Sequence, residues 1–118
     1  MSRGQVPYRD FAVEYPPAAL PMFLIPAIGD GDSADYRRRF EGVMAALGVA
    51  TLLLVALIAP RPWTLGFVAA APLLLGSVFL TRFDLWPASL TVAALALFVA
   101  ERFRIGAGVL AVAAAAKL

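Results

Sequence analysis

The chain is 118 residues long, 62% hydrophobic and only 15% charged, with a formal net charge of +2. Charged residues approach a quarter of an ordinary soluble domain, so this composition argues against one and leaves a membrane protein as the class. Without cysteine or histidine the chain has no disulfides, thiolate nucleophiles, usual zinc sites or imidazole acid–base chemistry. Catalysis, if present, falls to carboxylates, Tyr, Arg or Lys. The basic residues are scattered among short loops rather than laid along one face, so nucleic acid is not an expected partner.

The first fifteen residues are polar and contain Pro7, Arg9, Asp10 and Glu14, which fits neither a signal peptide nor a first span. Within them Pro7-Tyr8-Arg9-Asp10-Phe11, followed by Glu14-Tyr15-Pro16-Pro17, sets two carboxylates, an arginine and three aromatics in a proline-bounded loop. Ionised carboxylates are costly inside a bilayer unless solvated or paired. In a loop at its surface Asp10 and Glu14 stay ionised, where they can take a proton from an acceptor hydroxyl, hold a cation or hydrogen-bond a sugar. Tyr8, Phe11 and Tyr15 supply flat apolar faces for sugar rings or headgroups. The plainer reading is an aromatic belt with solvated charges.

Pro16 to Ile28 is apolar but about a dozen residues long and interrupted by Pro21 and Pro26, so it is expected to lie at the interface rather than span. Residues 29–35 read as an acidic loop. Tyr36-Arg37-Arg38-Arg39-Phe40 leads into the first certain span, Gly42 to Ala59, whose 18 or so residues cover ~27 Å. Pro60-Arg61-Pro62-Trp63 is a tight turn, Trp63 to Leu80 a second span, and Thr81 to Pro87 a loop carrying Arg82 and Asp84. A third span is expected from about Pro87 to Ala100, a closing charge cluster at Glu101, Arg102 and Arg104, and a fourth span from Ile105. Small residues four apart, at Gly42/Ala46/Ala50, Gly66/Ala70 and Ala107/Ala111/Ala115, are expected to let helices pack closely. The expected architecture is therefore all-α: residues 1–41 form a loop with an interfacial helix, and residues 42–118 about four transmembrane helices. The last of these reads as cut off in mid-membrane, as in a piece of a longer protein.

Arg37–Arg39 suits a lipid phosphate, since guanidinium pairs bidentately with phosphate; it equally suits a topogenic cluster. Arg82 with Asp84 is either a phosphate-reading arginine oriented by a carboxylate or an interfacial ion pair of little worth. Lys117, a lone cation at the end of an Ala-rich membrane segment, demands an anionic partner or water. If residues 16–28 do not span, the motif loop, Arg37–Arg39, Arg82, Asp84 and Lys117 fall on one side, together with seven of the ten basic residues. The charge rule alone puts that side in the cytoplasm.

These features resemble glycosyltransferase family 87, the polyprenyl-phosphate-sugar-dependent mannosyltransferases of the multi-span GT-C fold. The resemblance lies in Gly4-Gln5-Val6-Pro7-Tyr8-Arg9-Asp10-Phe11 with Glu14-Tyr15-Pro16-Pro17, in Arg82-Phe83-Asp84-Leu85-Trp86-Pro87, and in Ala107-Gly108 with the approach to Lys117-Leu118. It covers most of the chain and the N-terminal part of such an enzyme. It implies transfer of a hexose, often mannose, from a polyprenyl-phosphate donor to an acceptor on the outer face of the plasma membrane. The motif loop is then extracytoplasmic, against the charge rule. The partners it implies are the donor lipid and membrane lipids; no cofactor is implied, with a divalent metal left open. Tyr8, Arg9, Asp10, Glu14, Tyr15, Arg82, Asp84 and Lys117 become candidate donor- or acceptor-binding residues, Asp10 and Glu14 also candidate catalytic ones. The family's expected base lies earlier in the loop than this chain starts, so the chain alone is expected to be inactive. The competing class is a small non-enzymatic multi-span protein or transporter subunit, whose charges only set topology.

Overall fold

The computed structural model describes residues 15–29 and 31–117, and every regular element among them is helical. Beginning at Pro17, a single 3₁₀ turn, a short helix α1 (Leu20–Leu24) and another 3₁₀ turn (Ile25–Ala27) form one compact apolar segment. Each of these pieces carries a proline in its first turn, where the missing N–H would be unpaired anyway. The same prolines stop the segment from becoming one continuous helix. It folds back onto the chain that succeeds it: the Tyr36 hydroxyl donates to the Phe23 carbonyl at 3.4 Å and the Arg39 guanidinium to the Ile28 carbonyl. Gly29 makes the turn with φ +99°, and an added Cβ there would lie 3.2 Å from the Arg39 guanidinium.

Helix α2 runs from Ser33 to Ile58, 26 residues. The Asp32 carboxylate caps it by accepting from the amides of Ala34 at 2.8 Å and Asp35 at 2.9 Å, which satisfies donors that the first turn leaves orphaned. The cap moves the start well ahead of Gly42. Most of the expected acidic loop and all of Arg37–Arg39 are helical, and the expected boundary between residues 41 and 42 falls inside α2.

Helix α3 (Pro62–Leu75) comes after a tight turn and starts on a proline. The expected second span, Trp63 to Leu80, is broken. Pro72 sits inside α3 and Gly76 ends it at φ +57°, ψ −138°. Proline removes one intrahelical donor, and glycine alone adopts that backbone without cost. A short helix α4 (Val78–Thr81) resumes before the chain reaches Arg82.

Helix α5 (Leu85–Val99) and helix α6 (Phe103–Ala115) form an antiparallel hairpin. Its turn is a Schellman motif: the Glu101 amide donates to the Phe98 carbonyl at 3.0 Å and the Arg102 amide to the Leu97 carbonyl at 2.8 Å. The left-handed position usually given to glycine is held by Glu101, at φ 59°.

Two glycines make the close approaches. Gly48 of α2 meets the Phe79 ring, 3.1 Å from where a Cβ would stand. Gly106 of α6 lies under Phe98, where a Cβ would come within 2.6 Å of the ring and 3.2 Å of the Ala94 carbonyl oxygen. The small-residue rows expected to pack do not supply these contacts. A Cβ on Gly42 or Gly66 would meet nothing within 4 Å, and Ala46, Ala50, Ala107, Ala111 and Ala115 are exposed. Instead α6 buries Gly106, Ala113 and Ala116. Spacing defines a face but does not decide which face is covered. In the middle of the bundle the Thr51 and Ser89 hydroxyls, on α2 and α5, stand 2.7 Å apart.

The core is small. Met22, Phe40 and Met44 are buried, flanked by Phe23, Tyr36, Phe83 and Trp86. The molecule measures 49 × 34 × 21 Å, and large apolar side chains face outward along its length, including Leu57, Phe67, Leu73 and Leu74. Among the described residues one helix, α2, is long and apolar enough to cross a membrane, and 17% of its most apolar window is buried. At 14, 15 and 13 residues, α3, α5 and α6 reach only ~20–22 Å each, short of a ~30 Å hydrocarbon layer.

Candidate functional site

The N-terminal end of α2, the C-terminal end of α4, the start of α5 and the C-terminal end of α6 meet at one end of the bundle. The reason lies in the connections. The α4–α5 link is only Arg82-Phe83-Asp84, and the α5–α6 hairpin returns the chain to the level at which α5 began. The core residues Phe40 and Met44 pack against Phe83, Leu85 and Trp86 there. The Trp86 indole N–H donates to the Ala18 carbonyl at 3.0 Å, tying in the N-terminal segment.

Asp84 is the centre of the charged groups at this end. One carboxylate oxygen takes the Lys117 ammonium in an ion pair and hydrogen bond, and the other lies 3.4 Å from the Arg82 Nε. Lys117 therefore has the anionic partner its position demands, contributed from 33 residues away. Asp84 precedes α5 without capping it through its side chain, so both of its oxygens face the cations. Asp84 is about half exposed, Arg82 and Lys117 more so. With one acid against two bases the group carries net positive charge.

Beside these charges stands a cluster of rings. The Lys117 ammonium lies 5.8 Å from the centre of the Phe83 ring, a cation–π distance. Phe83 meets Tyr15 edge-on at 5.3 Å and Phe23 at 5.7 Å; Tyr15 and Phe23 are 4.9 Å apart. Phe23 in turn stacks on Phe40, and Phe40 on Tyr36. Tyr15, Arg82, Asp84 and Lys117 are thus brought together around Phe83, a residue that carried no assignment from the sequence. Its signal was available: an aromatic placed between Arg82 and Asp84 in a loop at the edge of apolar helices.

Tyr8, Arg9, Asp10 and Glu14, with the rest of the first motif, lie outside the described residues. The arginine run is divided in its contacts: Arg37 stands 3.6 Å from Glu41 on the next turn, while Arg39 is engaged with the Ile28 carbonyl. At the far end of the bundle Arg61 packs on the Trp63 ring at 6.0 Å and Phe98 stacks on Phe103; none of the candidate site residues is there. No group of three or more His, Cys, Asp or Glu that could hold a metal ion occurs among the described residues.

Two hollows adjoin the charges. One, about 310 Å³, is bounded by Leu75, Val78, Phe79, Arg82, Asp84, Leu85 and Ala88. The other, about 470 Å³, is an apolar groove between α2 and α3 that shares Phe79 and Leu85 with the first. Neither a known protein family, a curated protein nor a solved structure matches the chain.

Proposed function

We propose that this chain belongs to the membrane domain of a glycosyltransferase that takes a hexose, in the first instance mannose, from a polyprenyl-phosphate donor, with the bundle crossing the bilayer several times. The observation that carries this reading is the meeting of Arg82, Asp84, Lys117 and Tyr15 at one end of an otherwise apolar bundle. An excess of cations held beside aromatic rings suits a phosphate that carries a sugar and is itself attached to a lipid. The multi-span arrangement draws support from the outward apolar side chains on α2 and α3 and from the low burial of α2. A core helix of a water-soluble protein would be mostly covered.

In the proposed reaction an acceptor hydroxyl attacks the anomeric carbon of the sugar. The C–O bond to the polyprenyl phosphate breaks, and the phosphate leaves with the electron pair. A carboxylate accepts the hydroxyl proton, Asp10 and Glu14 being the candidates this chain offers. Arg82 and Lys117 stabilise the charge that grows on the departing phosphate, an effect greatest where water is scarce. Asp84 keeps both cations aimed at one spot and weakens their grip on product phosphate. In this arrangement the motif loop faces the outside of the plasma membrane.

The test is Arg82→Ala in the full protein, assayed in native membranes with polyprenyl-phosphate-mannose. A charge-assisted hydrogen bond to phosphate is worth about 1.5–3 kcal/mol. The expected loss of transfer at low donor is therefore about 10- to 100-fold, recovered in part at high donor. Unchanged donor dependence would remove Arg82 from the site. One observation favours a second, non-enzymatic reading: the Lys117–Asp84–Arg82 contacts join helix ends far apart in sequence, and a small membrane protein could keep them as a clasp alone. On that reading Asp84→Asn loosens the bundle and no sugar transfer accompanies the chain.

A further inference from the structure

The groove between α2 and α3 is built from small or apolar side chains on both walls, among them Gly48 and Leu52 on α2 and Val68 and Ala71 on α3, with Phe79 at its charged end. The hydroxyl of Thr51, also in its lining, is already engaged with the Leu47 carbonyl at 2.8 Å and with Ser89. Nothing in the wall therefore offers a polar ligand a free partner. The break at Pro72 and Gly76 turns the chain away from α2 just where the groove is lined by both residues. Phe79 and Leu85 also line the hollow that holds Arg82 and Asp84, so the apolar channel runs on into the cationic end. A cavity that is wholly apolar along its length and positive at its mouth complements an amphiphile with an anionic head.

Size selects among such occupants. At a diameter of about 10 Å and a pitch of 5.4 Å, one turn of helix fills roughly 420 Å³. The groove, at about 470 Å³, would therefore take little more than one turn of a partner helix. At about 30 Å³ per small group, the same volume takes roughly fifteen carbons of an extended hydrocarbon. A two-chain lipid needs twice that.

We propose that this groove admits a single hydrocarbon chain and so makes the Arg82 site selective for single-chain phosphates over the two-chain anionic lipids that surround it. The inference rests on the reading of Arg82 as a lipid-phosphate site, and adds the part of the site that decides which lipid enters. Phe79 holds the junction: its ring lies against Gly48 and borders both the chain channel and the charged mouth. It is a specificity residue rather than a catalytic one.

The experiment uses the whole chain in phosphatidylcholine vesicles with hexadecyl phosphate bearing a diazirine at the chain end. Photolysis is expected to leave adducts on residues 45–52 and 68–72, reduced about tenfold by Ala71→Trp, which fills the groove. Leu73→Trp, on the outer face of the same helix, is expected to leave them unchanged. Unlabelled hexadecyl phosphate should compete; dioleoyl phosphatidic acid should compete at least tenfold more weakly, and hexadecanol or inorganic phosphate hardly at all. Equal competition by phosphatidic acid, or adducts spread over the outer faces and indifferent to Ala71→Trp, would overturn the proposal. The competition series needs no variant, so a misfolded Ala71→Trp does not decide the matter. Groove adducts in a protein that transfers no sugar would uphold this inference and end the glycosyltransferase reading. Sugar transfer without groove adducts would end this inference alone.

Discussion

The α5–α6 hairpin and the α3–α4 arm are both apolar, similar in length and adjacent in the chain, yet they are held in opposite ways. The hairpin is closed at one end by a Schellman turn, pressed together in the middle by Gly106 under Phe98, and pinned at its other end by Lys117 on Asp84. The arm buries no residue of its own and is interrupted at Gly76. It touches the rest chiefly through Phe79 on Gly48. The hairpin therefore supplies two members of the charged group, Asp84 and Lys117, from a fixed frame, while Arg82 arrives at the end of the looser piece. A site divided this way has its carboxylate and one cation set by packing, and its second cation set by an adjustable lever.

The largest test of that contrast is Gly106→Val. Its side chain would collide with the Phe98 ring and approach the Ala94 carbonyl, and overpacking of this kind costs about 1–3 kcal/mol. We expect the upper part of that range, read as an earlier loss of helicity on titrating the micellar protein with dodecyl sulfate. A loss under 0.5 kcal/mol would show that the hairpin is not tightly packed there. Gly76→Ala comes next. Its backbone lies in a region costing other residues about 1–3 kcal/mol, and the strain should fall on the arm alone. A spin label at Leu75 should gain mobility while one at Leu110 keeps its line shape; equal broadening at both would erase the distinction between the two regions. The smallest effect is a gain. Glu101→Gly relieves a left-handed residue and should stabilise the hairpin by about 1 kcal/mol. No gain in the same titration would mean that Glu101 makes up its backbone cost in some other way.

How far the structure was legible in the sequence tracks the strength of the local signals. Pro21 and Pro26 made the first apolar segment too broken to span, and it is a set of short helical turns lying on α2. Pro60 and Pro62 placed the turn before α3 to the residue. Lys117 announced its need for an anion, although nothing local could say that the anion was Asp84, since a hairpin had to close first. The break in the second apolar stretch was missed because hydropathy is blind to it: Pro72 and Gly76 are as compatible with an apolar run as Leu or Ala. The small-residue rows were misread for a different reason. Gly42, Ala46 and Ala50 mark a face, but which face is covered depends on where α5 arrives, and it arrives at Gly48. Tyr15, Arg82, Asp84 and Lys117 were each picked out singly. Phe83, around which they gather, was not, because an interfacial phenylalanine has an ordinary explanation at any one position.

The 21 Å dimension of the molecule has a consequence of its own. A helix with its side chains is about 10–12 Å across, so the protein is two helices deep and none of its helices is enclosed on all sides. Each one completes its packing with whatever medium lies next to it. The surrounding fluid is thus a building material of this fold rather than a backdrop, and exchanging it would alter the structure as directly as exchanging residues.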